Sequence, residues 1–528
     1  MINKFKLSVV LIAILGLLQI TCKKPNTGLT FSIRSDVMKY TAMVSFVDPT
    51  TGNAPANVTM SITGPDASLI YEISGKKNFY VLGGQIALGL DPNNSPTASA
   101  PKKFNIIASA PGYLSVNVPV TMNESIKQQQ LTVNLVNISN PPPGVTIIHK
   151  NLALVNGQLP AAVSFATDTT NGKVDSMTLK LPVGLKFLDS SGNQLLGSSV
   201  SVQMVHFDNR TQSSLDCFPG GGNPVSNSVV DASGNSTSKY FTTLGFSDIS
   251  MTVGGNVVRK FSDSITMTMN INDTTNDINT GSPIQAGSLL SVYSYRVETG
   301  VWQYENMRAV TSSGSGLIVT HSTNHLTTYN FAYTTDICPN PQSITITYPA
   351  LGSNKVTGIL NIGVLPAGDN GVFRTYPSIK IPITNQSFPY TVSLGNLPTG
   401  QVSIAASLFN RIGSNSANDL CSTPATVNIS GGAFTFVTAS IVGKCRYDSS
   451  KVVSPSFYVD YRLHGSNAQY QLLGFVSNGQ FSTPLVTVGK TYDLRATFAG
   501  QQIDTFATVT NTVNSISVDM SSTSFCQQ

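Results

Sequence analysis

Apolar and polar residues alternate with a period of two along most of this chain. In KFNIIASAPGYLSVNVPVTM, Phe104, Ile106 and Ala108 lead to a Pro111-Gly112 turn, and Leu114, Val116, Val118 and Val120 lead away from it. An alternating strand, a tight turn and a second alternating strand predict a β-hairpin. YTAMVSFVDPTTGNAPANVTMSITG repeats the pattern, with Val44, Phe46, Val58, Met60 and Ile62 around turns at Asp48-Pro49 and Thr51-Gly52. Tyr293 and Tyr295 lead into Glu298-Thr299-Gly300, and Val301 and Trp302 start a return strand. FPYTVSLGNLPTGQVSIAASL and QFSTPLVTVGKTYDLRATFAG each read as strand, turn, strand. No stretch carries a sustained helical period. The pattern predicts an all-β protein.

At 528 residues the chain is too long for one sandwich. Asn140-Pro141-Pro142-Pro143-Gly144 is its clearest linker, because consecutive prolines stay extended as a semi-rigid spacer. The expected order is a leader at 1–21, a tether at 22–28, a sandwich at 29–139, the linker at 140–144, a larger sandwich at 145–335, and two more at 336–438 and 439–528. About four serial β-sandwich domains of the immunoglobulin-like or transthyretin-like kind result. Such a string, tethered at one end, suits reach.

Composition narrows the setting. Charged residues are 11% of the chain, against ~25% in ordinary soluble domains, and Ser, Thr, Asn and Gly take their place. This is the composition of secreted β structure. The chain opens with a cationic Met1-Ile2-Asn3-Lys4-Phe5-Lys6 and an uncharged run at 7–18, too short to span a bilayer, which needs ~20 apolar residues. That order is a secretory signal. Cleavage before Cys22 removes Lys4 and Lys6 and leaves 29 of the 31 Lys and Arg against 26 Asp and Glu. A near-neutral balance argues against nucleic acid as a partner, which needs clustered positive charge.

The leader ends Gln19-Ile20-Thr21-Cys22-Lys23-Lys24 and resembles the lipoprotein signals of the Bacteroidota. The resemblance implies cleavage before Cys22, acylation of its sulfur, and an outer-membrane lipoprotein held by its lipid in the cell envelope. Acyl chains at roughly 0.8 kcal/mol per buried CH₂ provide that anchorage without a spanning helix. The turn around Pro111-Gly112 and the two later strand-turn-strand segments resemble carboxypeptidase-regulatory-like (transthyretin-like) domains, which implies small sandwiches.

Five cysteines remain beyond Cys22. Cys338 and Cys421 bracket the third domain, and Cys445 and Cys526 the fourth, so intradomain disulfides 338–421 and 445–526 are expected; a 421–445 link between domains stays open. Cys217 is left over. No C-x-x-C spacing supports a zinc or thiol-redox site.

Chemistry is sparse. Asn324-His325-Leu326-Thr327 resembles the autoproteolysis site of GAIN domains, and the His-x-Ser step of ZU5 domains is similar. The resemblance implies His325 as base, the Leu326 carbonyl as the group attacked and Thr327 as nucleophile, with an N-to-O acyl shift before hydrolysis. Trp302 fits the same pattern. The plainer reading makes 324–331 a closing strand with Leu326 inward and His325 capping or solvated. His149, His206 and His464 lack metal-ligand partners at i+2 or i+4. Asp273 and Asp277 in NINDTTNDINTG are calcium candidates without the Asp-x-Asp-x-Asp-Gly run, so an exposed loop is the simpler expectation. The glycines at 220–222 lack the following Lys-Ser/Thr of a phosphate loop. Asp175-Ser176-Met177 and Asp263-Ser264-Ile265 resemble O-glycosylation steps of the Bacteroidota. No cofactor is implied. The expected function is non-enzymatic adhesion, scaffolding or partner binding, toward a protein or glycan ligand, with a glycan-binding accessory lipoprotein as the alternative.

Overall fold

The computed structural model describes residues 31–34, 38–167, 175–220, 222, 224–296, 299–314, 316–366, 379–416, 418–498 and 501–519. The signal, the tether with Cys22, and Cys526 lie outside these residues. The protein is nearly all β, built from several sandwich-forming sheets. Among the described residues, helix is limited to Gln212–Leu215 and the 3₁₀ turns Ala67–Leu69 and Pro349–Leu351.

The first unit shows how alternation becomes a sandwich. Strand Lys102–Ser109 pairs with Val116–Met122 across the Pro111-Gly112 turn, as the hairpin pattern predicts, and with Thr59–Thr63 on its other side. Facing this sheet, Thr41–Val47 pairs antiparallel with Gln85–Leu90 and parallel with Gln128–Asn134. The inward residues of both sheets, among them Phe46, Leu88, Phe104, Ile106, Val118 and Val133, form one core. Thr41–Val47 and Thr59–Thr63, neighbours in sequence, therefore sit in opposite sheets.

The second unit packs an eight-stranded sheet on a six-stranded one. Strands Leu289–Arg296 and Val301–Ala309 form the expected hairpin. Its core holds Met204, Met267, Met269, Val292 and Phe331. A second cluster on the outer face of the larger sheet gathers Phe207, Phe218, Phe241, Phe246 and Trp302, with Trp302 stacked on Phe218 at 5.3 Å between ring centroids.

In the last two units the strand-turn-strand segments are crossings between sheets. Tyr390–Leu394 pairs with Gln342–Thr347, whereas Gln401–Leu408 pairs with Val356–Pro366 in another sheet. Gln480–Thr483 and Thr491–Phe498 divide in the same way. A disulfide joins Cys338 to Cys421, which excludes a 421–445 link. It closes a loop of sequence separation 83, worth roughly 4–5 kcal/mol in the chain-entropy model. Cys445 is also disulfide-bonded. Cys217 is free, and its thiol donates to the Ser213 carbonyl at 3.2 Å.

The units are tied laterally as well as in series. Strand Phe31–Arg34, grouped by sequence with the first unit, runs parallel to Asp448–Ser454 of the fourth. Lys380 opposite Gln130 joins the sheet of the first unit to that of the third. Met43 and Ala87 of the first unit share a small core with Tyr458 and Phe475 of the fourth. The proline linker is held from both sides: Thr50 Oγ1 donates to the Asn140 carbonyl, and Thr211 Oγ1 and Ser213 Oγ donate to that of Pro143.

Candidate functional site

Polar side chains converge at two places: the corner around His325, marked by sequence, and a cavity that sequence did not mark.

At the corner, strand Gly316–His325 belongs to the six-stranded sheet and Thr328–Thr335 to the eight-stranded one. Leu326 and Thr327 carry the chain across. Leu326 is buried, as an inward closing residue should be, and its N–H donates to the Arg259 carbonyl at 3.0 Å. Both nitrogens of His325 are engaged: Nδ1 lies 2.9 Å from the Tyr329 hydroxyl, and Nε2 lies 3.2 Å from Glu305 Oε1. The Thr323 hydroxyl is 2.8 Å from that of Tyr329, and Ser294 Oγ donates to Glu305 Oε1 at 2.6 Å. Burial lowers the His325 pKa, and the charge of Glu305 opposes that shift. Thr327 Oγ1 donates to the Tyr295 carbonyl.

A general base must lie within hydrogen-bond reach of the proton that it takes. Here the Thr327 proton points at a carbonyl, while the two nitrogens of His325 face a phenol and a carboxylate. The arrangement is a polar clasp between two sheets. It does not bring His325 and Thr327 together as base and nucleophile.

The remaining sequence candidates are dispersed. Asp277 Oδ1 accepts the N–H and Nδ2 of its neighbour Asn279, a local loop contact. Among the described residues no three His, Cys, Asp or Glu side chains gather as a metal site, so Asp273 and Asp277 have no such company. His206 is buried in the second unit, and His464 Nδ1 contacts Asp493 Oδ1 on the surface at 2.5 Å. Asp175, from one of the O-glycosylation-like steps, is buried and paired with Arg210 at 2.7 Å.

The cavity, of about 820 Å³, lies among the first three units. Its floor is the sheet shared by units one and three. Cross-strand pairing sets Gln130 opposite Lys380, Lys380 opposite Asn361, and Asn361 opposite Ser407. Because directly opposed residues share a face, these four form one polar row across four strands. Thr132 and Asn134 continue the same face of Gln128–Asn134, while Leu131 and Val133 turn into the core. The opposite wall comes from the second unit and includes Gln212 and Asp216.

Lys380 Nζ lies 3.4 Å from Thr132 Oγ1, a long contact for an ammonium. Burial lowers its pKa, and the charge of Asp216 only partly restores it. Asp216 is pushed the other way by burial, against hydrogen bonding from Gln212 Nε2 to its Oδ1 at 2.6 Å. Asn134 Nδ2 donates to the Asp216 carbonyl at 2.9 Å, fastening wall to floor. Nothing local in the sequence announces this site. The one available signal was the polar alternation Gln128-Gln130-Thr132-Asn134, which reads equally well as an ordinary solvated face.

These features define a multi-unit β-sandwich protein. No protein-family model matches the chain, and no curated protein matches it in sequence. Solved structures to which it is similar include the streptococcal ancillary pilin, at 8% identity and a TM-score of 0.15 over 46% of this chain and 95% of that one. The shaft pilin of Lactobacillus rhamnosus GG matches at 11% identity and 0.16, over 34% of this chain and 98% of that one. The major pilin subunit of Bacillus cereus matches at 9% and 0.12, over 91% and 99%. TM-scores this low carry no argument about what the chain does, and its fold class rests on its own strands.

Proposed function

We propose that this is a non-enzymatic cell-envelope protein, acylated at Cys22, that holds a stiff set of β-sandwich units at the membrane for adhesion, scaffolding or partner binding. The observation that supports this reading best is the burial of the first unit against the other three. Met43 and Ala87 pack on the fourth unit, Gln130 pairs with the third, and Val136 joins the core that Trp302 occupies in the second. Packed interfaces transmit load and resist reorientation. Such bracing suits a scaffold that fixes the position of a binding surface. The test is Cys22→Ser in the producing cell, with fatty-acid labelling and membrane fractionation. Loss of label and release of the protein from the membrane fraction are expected. Unchanged fractionation overturns the anchor and, with it, the proposed location.

A second reading, a glycan-binding accessory protein of the envelope, is favoured by the cavity among the first three units, whose floor carries the polar row Gln130, Lys380, Asn361 and Ser407. Ligand sites concentrate in concave spaces of ~300–1,000 Å³ at domain junctions.

A further inference from the structure

On the floor, strands Val356–Pro366, Ile379–Gln386 and Gln401–Leu408 spend backbone N–H and C=O groups on ladder bonds with one another, while Ile379–Gln386 meets Gln128–Asn134 at the pair Lys380–Gln130. A peptide that binds by adding a strand needs a free edge, and strands Val356–Pro366 and Gln401–Leu408 are paired on both sides. What remains are side chains that both donate and accept: the amides of Gln130, Asn134 and Asn361 and the hydroxyls of Thr132 and Ser407. They recur at strand spacing, ~4.8 Å from one strand to the next, which is comparable to one pyranose ring. Within this neutral row sits one ammonium, Lys380, whose Nζ lies 3.4 Å from the Thr132 hydroxyl and which feels the charge of Asp216 on the facing wall. An ammonium carries three donors, so Lys380 retains capacity for an anion. Lys103 adds a second positive charge to the cavity lining, and the facing carboxylate of Asp216 is partly satisfied by Gln212.

We infer that this cavity binds an acidic oligosaccharide, with a carboxylate of the sugar on Lys380 and its hydroxyls on the Gln130–Asn361–Ser407 row. The inference rests on the glycan-binding reading and gives that reading a substrate class. The lowered pKa of Lys380 is consistent with it, because burial that the charge of Asp216 only partly offsets disfavours the ammonium, and a bound carboxylate adds to that offset.

The test is calorimetric titration of the full chain in detergent with a tetramer of galacturonic acid, beside the neutral maltotetraose and acetate as a bare carboxylate. Saturable binding of the acidic tetramer, with at least tenfold weaker binding of maltotetraose and acetate, is expected. Lys380→Met keeps the aliphatic stem and should weaken the tetramer at least tenfold. Asn361→Ala, on the neighbouring strand, should weaken it about threefold to tenfold. Thermal melts of both variants report whether the fold survives. Equal binding of the acidic and neutral tetramers, no binding at all, or full affinity in both folded variants overturns the inference. Cleavage of the tetramer supports the site and overturns the non-enzymatic reading, so the two claims fail separately.

Discussion

The Thr41 and Tyr458 hydroxyls meet at 3.1 Å in a buried hydrogen bond that spans 417 residues of chain. Thr41 belongs to the first unit and Tyr458 to the fourth, and the Tyr458 ring packs edge-on against Phe475 at 4.8 Å. Removing only the hydroxyl with Tyr458→Phe should cost about 1 kcal/mol, the net worth of a neutral hydrogen bond with some penalty for its stranded partner. Tyr458→Ala should cost about 3–5 kcal/mol by leaving a cavity. Both losses should appear as earlier proteolytic separation of the fourth unit from the first in a denaturant series. Equal resistance in wild type and Tyr458→Ala would show that this contact does not hold the units together.

The same interface contains a carboxylate with a definite pH signature. Burial raises Asp460 from 3.8 to about 6, with a hydrogen bond from Gln85 and the charge of Arg495 pulling the other way. The folded state therefore holds this proton at a pH where the unfolded state has lost it. Its stabilising contribution is full below pH 3.8 and fades as pH rises through about 6. The difference of about two units corresponds to roughly 3 kcal/mol. Asp460→Asn should raise stability at pH 7 and flatten this part of the profile. A denaturant midpoint at pH 7 that is unchanged or lower in Asp460→Asn counts against this account.

The second unit should respond in the opposite sense. His206 and His321 are buried in its core, each with its pKa pulled from 6.5 down to about 4, mainly by desolvation. Arg308 and His325 lower His321 further. Between those pH values the unfolded chain takes up protons that the folded unit refuses. Stability is thus full above pH 6.5 and is lost as pH falls toward 4, by roughly 3 kcal/mol per histidine. Amide exchange on strand Ser199–Phe207 should accelerate at pH 4.5 relative to pH 7 after correction for intrinsic rates. His206→Leu should remove about half of that acceleration. A variant as acid-sensitive as wild type would place the effect elsewhere.

The period-two pattern was legible where a sheet has one buried face: Phe104, Ile106 and Ala108 enter the core as their spacing requires. Short hairpins were legible for the same local reason, as at Pro111-Gly112 and between Tyr295 and Trp302. Partner choice was not. Leu397-Pro398-Thr399-Gly400 looks like a hairpin turn, yet it sends Gln401–Leu408 to a different sheet from Tyr390–Leu394, since a turn fixes chain direction locally and the cores decide which sheet receives each strand. The Cys338–Cys421 pair followed from where the cysteines bracket a domain. The cavity was hidden for a different reason: Gln130, Lys380, Asn361 and Ser407 are far apart in sequence, and each alone reads as a solvated strand position.

The corner at Leu326-Thr327 provides the sharpest chemical prediction. An acyl shift there requires the Thr327 hydroxyl to lose its proton to a nearby base as it attacks the Leu326 carbonyl. In the structure that proton lies on the Tyr295 carbonyl, and His325 is held between Tyr329 and Glu305. The expected result is one intact band on a denaturing gel after prolonged incubation, in both wild type and Thr327→Ala. Thr327→Ala should lower the stability of the second unit by about 1 kcal/mol through loss of its hydrogen bond. His325→Ala should cost more, because it also strips Glu305 and the buried Tyr329 of a polar partner. Two fragments with a new amino terminus at Thr327, absent from Thr327→Ala, would show that the corner rearranges into a catalytic geometry before cleavage.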